Sequence, residues 1–267
     1  MKMDMHCHTK EGSIDGKVSI EEYIGLLEEK GFGGMLITDH NSYKGYRHWR
    51  DHIKGKSHKD FVVLKGIEYD TSNAGHILVI MPEGMKLRIL ELRGMPVSLL
   101  ITFVHAFGGI LGPAHPCGEK YMSLANTRYY RKNRAVLAKF DFIEGFNSCE
   151  PVQANSEAMK LAEKYKKPVF GGSDSHRYDC VGTGFTDFQE EITCESQLIE
   201  YVRQKKPMEA GGVLYKGTTK EKIGAANHLL VYSFWLYNKS AAFLRSHKRR
   251  GQSRYLKLNM DHGNGKS

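Results

Sequence analysis

The sequence contains no CxxC pair: its five cysteines, Cys7, Cys117, Cys149, Cys180 and Cys194, are odd in number and scattered along the chain. That spacing argues against a thiolate zinc knuckle and against a disulfide framework. The first residues lack the roughly 7–15-residue apolar segment of a secretory signal. Reduced thiols without an export signal lead to the expectation of a cytoplasmic protein. Proline is scarce, with 7 in 267 residues, and no internal repeat is visible. No convincing Ser-His-Asp set occurs either, since Ser173 stands beside Asp174 but outside a nucleophile-elbow context.

Apolar residues make up 40% of the chain and charged residues 26%, a composition that can bury a large core as one or two domains. The net charge is +9, yet residues 216–267 hold eleven Lys or Arg against two acids, so that segment carries all of it. Residues 1–215 are balanced, and a boundary is expected near Tyr215. Beyond it, residues 224–250 read as a helix with Leu230, Phe234, Tyr237, Ala241 and Leu244 on one face, followed by a basic cluster and a disordered end. The apolar stretch from Leu229 to Tyr237 is shorter than the about 20 residues that span a bilayer, so no transmembrane segment is expected. The basic helix has three readings: a helix packed on the main domain, an arm for RNA or DNA, or a segment lying on an anionic membrane surface.

Short β-branched runs recur through the balanced part, at residues 2–6, 35–40, 62–68, 76–80, 108–115, 142–147 and 168–176. Amphipathic helices lie between several of them. Residues 19–31 place Ile20, Tyr23, Ile24 and Leu27 on one face, with Ser19 as N-cap and Gly31 as stop. Residues 156–165 form another, capped by Ser156. Alternating strands and helices predict a largely parallel sheet, and about seven such strands suit a closed or nearly closed barrel.

Residues 4–13 read "DMHCHTKEGS". In a strand, His6 and His8 point the same way and Cys7 the other, because side chains alternate with period 2. Two imidazoles on one side of a strand end can hold a cation. The other strand ends repeat the theme: Asp39 and His40, Glu68, His76, His115, then Asp174 and His176. Histidines and carboxylates converging without cysteine suit Zn, Mn or Fe. His48, His52, His58, His105, His228, His247 and His262 fall outside this pattern, and His105 reads as a helix residue packing under the site.

The ordered motifs "HCHT", "TDHN", "GIE", "GPAHP" and "GSDSH" resemble the PHP (polymerase and histidinol phosphatase) family over about residues 1–190. The resemblance implies an α/β fold: a distorted seven-stranded (β/α)7, TIM-like barrel over residues 1–215, here followed by the basic C-terminal tail of 216–267. It implies a metal-dependent phosphoesterase with two or three divalent transition metals (Zn, Mn or Fe) and a metal-activated hydroxide. By the same resemblance His6, His8, Glu68 and Asp174 would hold one metal, and Glu68 would bridge to a second that also takes His76 and His115. A third would take His40, His176 and an acid from the loop after His8. That loop, "HTKEGSIDG", is two residues longer than in many family members. Asp15 is the choice there, with Glu11 as rival. Asp39 would hold a neighbouring ligand in place.

Two metals about 3.5–4 Å apart supply a nucleophile at neutral pH and a clamp on the phosphoryl oxygens. Glu68 and Asp174 are therefore the residues expected to carry catalysis, with Arg177 as the cation facing phosphate. Lys10, Lys44, Arg47 and Arg128 read as solvated charges. Gly171 and Gly172 read as room for close backbone approach, and Cys149 as an inert thiol near the site. The substrate would be a small phosphorylated metabolite, a nucleotide or a nucleic-acid end. Two rivals stand beside this: an amidohydrolase-type C–N hydrolase, which would want Lys65 as a carboxylated ligand, and an idle metal-binding regulatory module.

Overall fold

The structure, a computed structural model, describes residues 1–216 apart from residue 86 and residues 119–121. The expected basic helix and disordered end lie outside the described residues. The elements run β1 (Lys2–Cys7), α1 (Ile20–Glu29), β2 (Gly34–Ile37), α2 (Lys44–His52), β3 (Val62–Asp70), β4 (His76–Ile80), α3 (Val97–Ala106), β5 (Ile110–Pro113), α4 (Arg128–Lys132), β6 (Ile143–Asn147), α5 (Val152–Tyr165), β7 (Val169–Gly172), β8 (Gly184–Phe188), α6 (Glu195–Arg203) and β9 (Met208–Gly212), with short 3-10 turns between.

The expected helices form for the expected reasons, with one shifted start. In α1 the residues Ile20, Tyr23, Ile24 and Leu27 are buried. The Ser19 N–H donates to the Glu22 carboxylate at 3.2 Å, and Gly31 ends the helix with φ +73°, a conformation that costs a residue with a Cβ about 1 kcal/mol or more. Helix α5 starts at Val152 after Pro151, so Ser156 lies inside it and is not its cap. Pro151 stands at the cap position, with no side-chain hydrogen bond to the first turn.

Seven strands form one curled sheet in the order β5-β4-β3-β2-β1-β8-β9, and β6 and β7 form a separate pair. The pairings β1–β2, β2–β3 and β6–β7 are parallel, whereas β3–β4, β4–β5, β1–β8 and β8–β9 are antiparallel. The largely parallel sheet expected from the sequence is thus corrected to a mixed one. Only residues 71–75 join β3 to β4, and a parallel return needs a crossover of a dozen residues or more. The β6–β7 pair lies between the outer strands. Asp141 N–H donates to Leu111 O at 2.9 Å, and Asp174 N–H to His6 O at 2.9 Å.

Strand alternation divides the core. Leu36, Leu64, Leu78, Ile80, Phe142 and Phe170 pack together, and on β3 and β4 this face also carries Glu68 and His76. On the other face Ile67, Tyr69, Ile77 and Val79 pack with Val97, Leu100 and Val104 of α3, while Met35, Ile37 and Val63 pack with the apolar stripe of α1. Because β4 runs backwards, its first residue reaches the rim where β1, β2, β3, β5, β6 and β7 end. His105 is not under that rim. It sits at the end of α3, exposed, with Nε2 2.9 Å from Asp141 Oδ2, at the opposite end of the strands.

Candidate metal centre

The rim collects the residues that the strand ends predicted. His6 Nε2 lies 3.1 Å from His8 Nε2, 3.4 Å from Glu68 Oε2 and 3.5 Å from Asp174 Oδ1. His8 Nε2 lies 3.2 Å from each of those two carboxylate oxygens. The other Glu68 oxygen, Oε1, lies 2.7 Å from His76 Nδ1 and 3.1 Å from His115 Nε2. His40 Nδ1 is 3.2 Å from Glu68 Oε2. His176 Nε2 is 3.3 Å from Asp15 Oδ2, and His40 Nε2 is 3.9 Å from the same oxygen.

Backbone pairing sets this convergence. His40 bridges Glu68 in parallel register, and Cys7 bridges Ser175. Asp4, buried in β1, accepts from the Ser173 N–H at 2.9 Å and so ties the loop of Asp174 to the strand of His6. Gly172 gives the close approach expected of it: a Cβ there would meet His6 N at 2.6 Å. Asn41, His115 and Asp174 have φ of +48°, +30° and +52°, a region costing about 1–3 kcal/mol for such residues and found most often at functional sites.

Each ring is oriented from behind. His6 Nδ1 donates to Glu144 Oε1 at 2.8 Å. The Ser13 hydroxyl gives its proton to Asp39 at 3.1 Å and thus accepts from His8 Nδ1 at 3.2 Å. Asp39 thus stands behind His8 through Ser13; it also accepts from Thr9 N–H at 2.7 Å. His115 Nδ1 meets Ser123 Oγ at 3.3 Å, and His176 Nδ1 donates to the Asp174 carbonyl at 2.9 Å. Asn147 donates to Glu144 at 3.3 Å and to Asp174 Oδ2 at 3.2 Å. Glu144 and Asn147 escaped the sequence reading, although "FIEGFN" had been read as a strand. Glu144 is a carboxylate near its end, the same signal that found Glu68. Asp70 was missed as well; it shares a strand face with Glu68.

Charge in the cluster is strongly coupled. Burial would push the His6 imidazole down, but Glu144, Asp174 and Glu68 outweigh it and hold the ring well above its ordinary value. Against the same burial penalty, Glu68 and Asp70 raise His40 to about 10. Glu68 and Asp174 are held well below the carboxylate range by the surrounding histidines, despite burial. Burial lifts Asp39 to about 6.

Two buried carboxylate oxygens, Glu68 Oε2 and Asp70 Oδ1, have no hydrogen-bond partner among the described residues. Leaving a buried charged acceptor unsatisfied costs more than about 1–3 kcal/mol, and a cation would satisfy Glu68 Oε2. The donors fit one. A tetrahedral zinc with bonds of about 2.0–2.2 Å keeps its ligand atoms about 3.3–3.6 Å apart, close to the separations among His6, His8, Glu68 and Asp174. Among the described residues, four groups of His, or of His with a carboxylate, lie close enough to share an ion: His6–His8–Glu68, Glu68–His76–His115, His8–His40–His176 and His40–Asp70–His76.

Three sequence candidates stand elsewhere. Arg177 Nε contacts Asp179 Oδ1 at 3.3 Å with its side chain half exposed, so the structure does not bring it to the cluster. Its position directly after His176 suggested otherwise. Glu11 accepts from Ile20 N–H at 3.2 Å, at the start of α1, which leaves Asp15 as the acid near His40 and His176. Lys65 is an odd number of residues from Glu68 and therefore on the opposite strand face. Its Nζ donates to Met85 O at 2.6 Å. Cys149 lies near Asp174, 3.7 Å from its carbonyl and 3.6 Å from Cys180 Sγ.

A family model described as PHP-associated matches residues 152–207, the stretch from α5 through α6 that contains Asp174 and His176. No curated protein matches the chain by sequence. Among solved structures, a protein described as a metal-dependent phosphoesterase from Bifidobacterium adolescentis is similar at 16% identity, over 75% of this chain and 96% of that one, with TM-score 0.52. The lesion-specific endonuclease PfuEndoQ from Pyrococcus furiosus is similar at 17% identity, over 79% of this chain and 58% of its own length, with TM-score 0.54. An amidohydrolase from Chromobacterium violaceum is similar at 13% identity, over 75% and 96%, with TM-score 0.54. Proteins of this fold therefore carry names of several chemistries, and the site decides among them. In this chain Lys65 is turned away from the rim, which removes the one lysine positioned by sequence to serve a carboxylated-lysine site.

Proposed function

We propose that this chain is a hydrolase of phosphoester bonds, acting on a phosphomonoester, a nucleotide or a nucleic-acid end at a centre of two or three divalent metals of the Zn, Mn or Fe type. The observation that carries the proposal is the double exposure of Glu68: one oxygen faces His76 and His115, the other faces His6, His8 and His40. A carboxylate so placed could serve two ions, one at each oxygen. His6, His8, Glu68 and Asp174 would hold the first, Glu68, His76 and His115 the second, and Asp15, His40 and His176 a third. When bound, such ions acidify water to give a nucleophile near neutral pH and neutralise charge on the phosphoryl oxygens.

The chain's own residues prepare this. Glu144 takes the Nδ1 proton of His6 and Ser13 that of His8, so both rings turn their Nε2 lone pairs inward. Asn147 holds Asp174 by its outer oxygen and leaves Oδ1 to the centre. Ser123 stands behind His115. The rim surface is open to solvent at Asp15, where a substrate phosphate can enter. Nucleic acid stays within the proposal, because an endonuclease shares the fold and the segment 216–267 is strongly basic. Among the described residues no helix is long and apolar enough to cross a membrane.

The test is a screen of purified, metal-loaded protein against p-nitrophenyl phosphate, phosphomonoesters, nucleoside bisphosphates and short single-stranded RNA and DNA. The expected result is hydrolysis of at least one class, abolished by a chelator and restored by metal. Absence of phosphoester cleavage on every class by a protein shown to hold its metals would overturn the proposal.

A further inference from the structure

Six histidines line the rim, and four have a visible partner behind the ring: Glu144 for His6, Ser13 for His8, Ser123 for His115 and the Asp174 carbonyl for His176. In all four the partner sits at Nδ1. The remaining two, His40 and His76, both look toward one residue. Asp70 Oδ1 lies 3.4 Å from His40 Nδ1 and 3.3 Å from His76 Nε2. That oxygen is buried and bonded to nothing among the described residues.

Asp70 is built to stay where it is. It is the residue directly opposite His76 in the antiparallel β3–β4 pair, so the two side chains share a face. Its N–H donates to Asn41 Oδ1 at 3.0 Å, which ties it to the residue after His40. Its second oxygen, Oδ2, faces Arg93 Nη2 at 3.6 Å. One carboxylate oxygen is thereby fixed to a cation, and the other is aimed between two imidazoles.

A metal-ligating imidazole gives one nitrogen to the ion and needs an acceptor for the proton on the other. His76 turns Nδ1 to Glu68 and His115, and its Nε2 to Asp70. His40 has the reverse arrangement: Nδ1 lies between Asp70 Oδ1 at 3.4 Å and Glu68 Oε2 at 3.2 Å, and Nε2 faces Asp15. We infer that Asp70 is a positioning residue that accepts both ring protons, fixing His76 as an Nδ1 ligand of one ion and His40 as an Nε2 ligand of another. A single carboxylate then couples the second and third sites, while the site of His6, His8 and Asp174 does not depend on it. An ion held directly by Asp70 is the weaker alternative. It would take His76 Nε2 and His40 Nδ1 as ligands, making each ring an imidazolate between two ions.

This inference rests on the metal-centre reading, and the experiment separates the two. Zinc-loaded protein carrying 15N-labelled histidine would be examined by long-range 1H–15N NMR, with zinc affinity measured by chelator competition, for wild type, Asp70→Ala and Asp70→Asn. In wild type the expected spectrum shows His76 protonated at Nε2 and His40 protonated at Nδ1. In Asp70→Ala those two N–H signals shift or vanish, and the ions of those sites bind about 10–100-fold more weakly. The signals of His6 and His8 and the ion they hold persist. Asp70→Asn, which keeps an acceptor of the same shape, falls between the two. Zinc on His76 Nε2 or His40 Nδ1 in wild type would overturn the inference, as would unchanged affinity in Asp70→Ala. A wild type that takes up no zinc would overturn the metal-centre reading itself, and this inference with it.

Discussion

Glu68 Oε2 lies 3.2 Å from His8 Nε2, both side chains are buried, and no hydrogen bond among the described residues reaches that oxygen. A charged oxygen and a ring nitrogen so close, yet unbonded, suit the proposed role of two ligands to one ion. Glu68→Gln keeps the shape but replaces one of the two oxygens by an amide that cannot ligate. The expected outcome is a soluble, folded protein that holds at least one ion fewer per chain and hydrolyses phosphoester at a rate lower by on the order of 10²-fold or more. Elemental analysis and a rate measurement on the same preparation check it. Full metal content with full activity would remove Glu68 from the bridging role.

Arg177 gives the opposite expectation. Its guanidinium is half exposed and turned to Asp179, away from the rim. Exposed substitutions of this kind change free energies by about 0.5 kcal/mol or less, so Arg177→Ala should alter kcat/KM by no more than about twofold to threefold. Steady-state kinetics on the best substrate decides. A loss of 10²-fold would restore the role that adjacency to "SDSH" suggested.

The contrast between Glu68 and Arg177 shows what the sequence could carry. Residues on strands were legible, because period 2 says which side chains share a face: His6 with His8, and Glu68 at the end of "LKGIE". Asp70 and Glu144 were legible by the same rule but were passed over, since a carboxylate behind a ligand has no motif of its own. Arg177 lies past a strand end, where a turn and not a period decides direction. The reversal of β4 follows from its five-residue connection, yet alternation of strands and helices elsewhere favoured a parallel reading. β8 and β9 were missed for a related reason: "GFTDF" and "MEAGG" mix glycine and acids with few apolar residues, and they form by pairing beside β1 rather than by their own propensity.

Proton release should accompany metal uptake. The folded metal-free chain holds His40 at about 10 and His6 well above the imidazole range, so both carry protons near pH 7. The sign follows from that direction. The ion pairs of His40 stabilise the metal-free fold fully below its unfolded value of about 6.5, and this contribution fades as pH rises through about 10. An ion must displace these protons, so its affinity rises with pH over the same window. Titration calorimetry of zinc into metal-free protein near pH 7, in two buffers of different ionisation enthalpy, should show net proton release. Proton-neutral binding would contradict the charge state described for the cluster.

The basic segment after Tyr215 calls for its own test. If it binds nucleic-acid phosphates, full-length protein should bind single-stranded DNA at low salt, and the affinity should fall steeply as salt rises. Truncation after Tyr215 should weaken that binding while leaving hydrolysis of a small phosphoester measurable. Equal binding by the two proteins in an anisotropy titration would rule out a nucleic-acid role for the segment. An insoluble truncated protein would mark it as part of the fold.

The most direct measurement is the metal content of protein purified without chelators or affinity metals. The convergence of His6, His8, Glu68, His76, His115 and Asp174 predicts at least two transition-metal ions per chain, lost on dialysis against a strong chelator together with phosphoester hydrolysis and regained together on adding Zn, Mn or Fe. Protein that carries only traces of these metals, and neither binds them nor gains activity when they are supplied, would contradict the assignment of this rim as a metal centre.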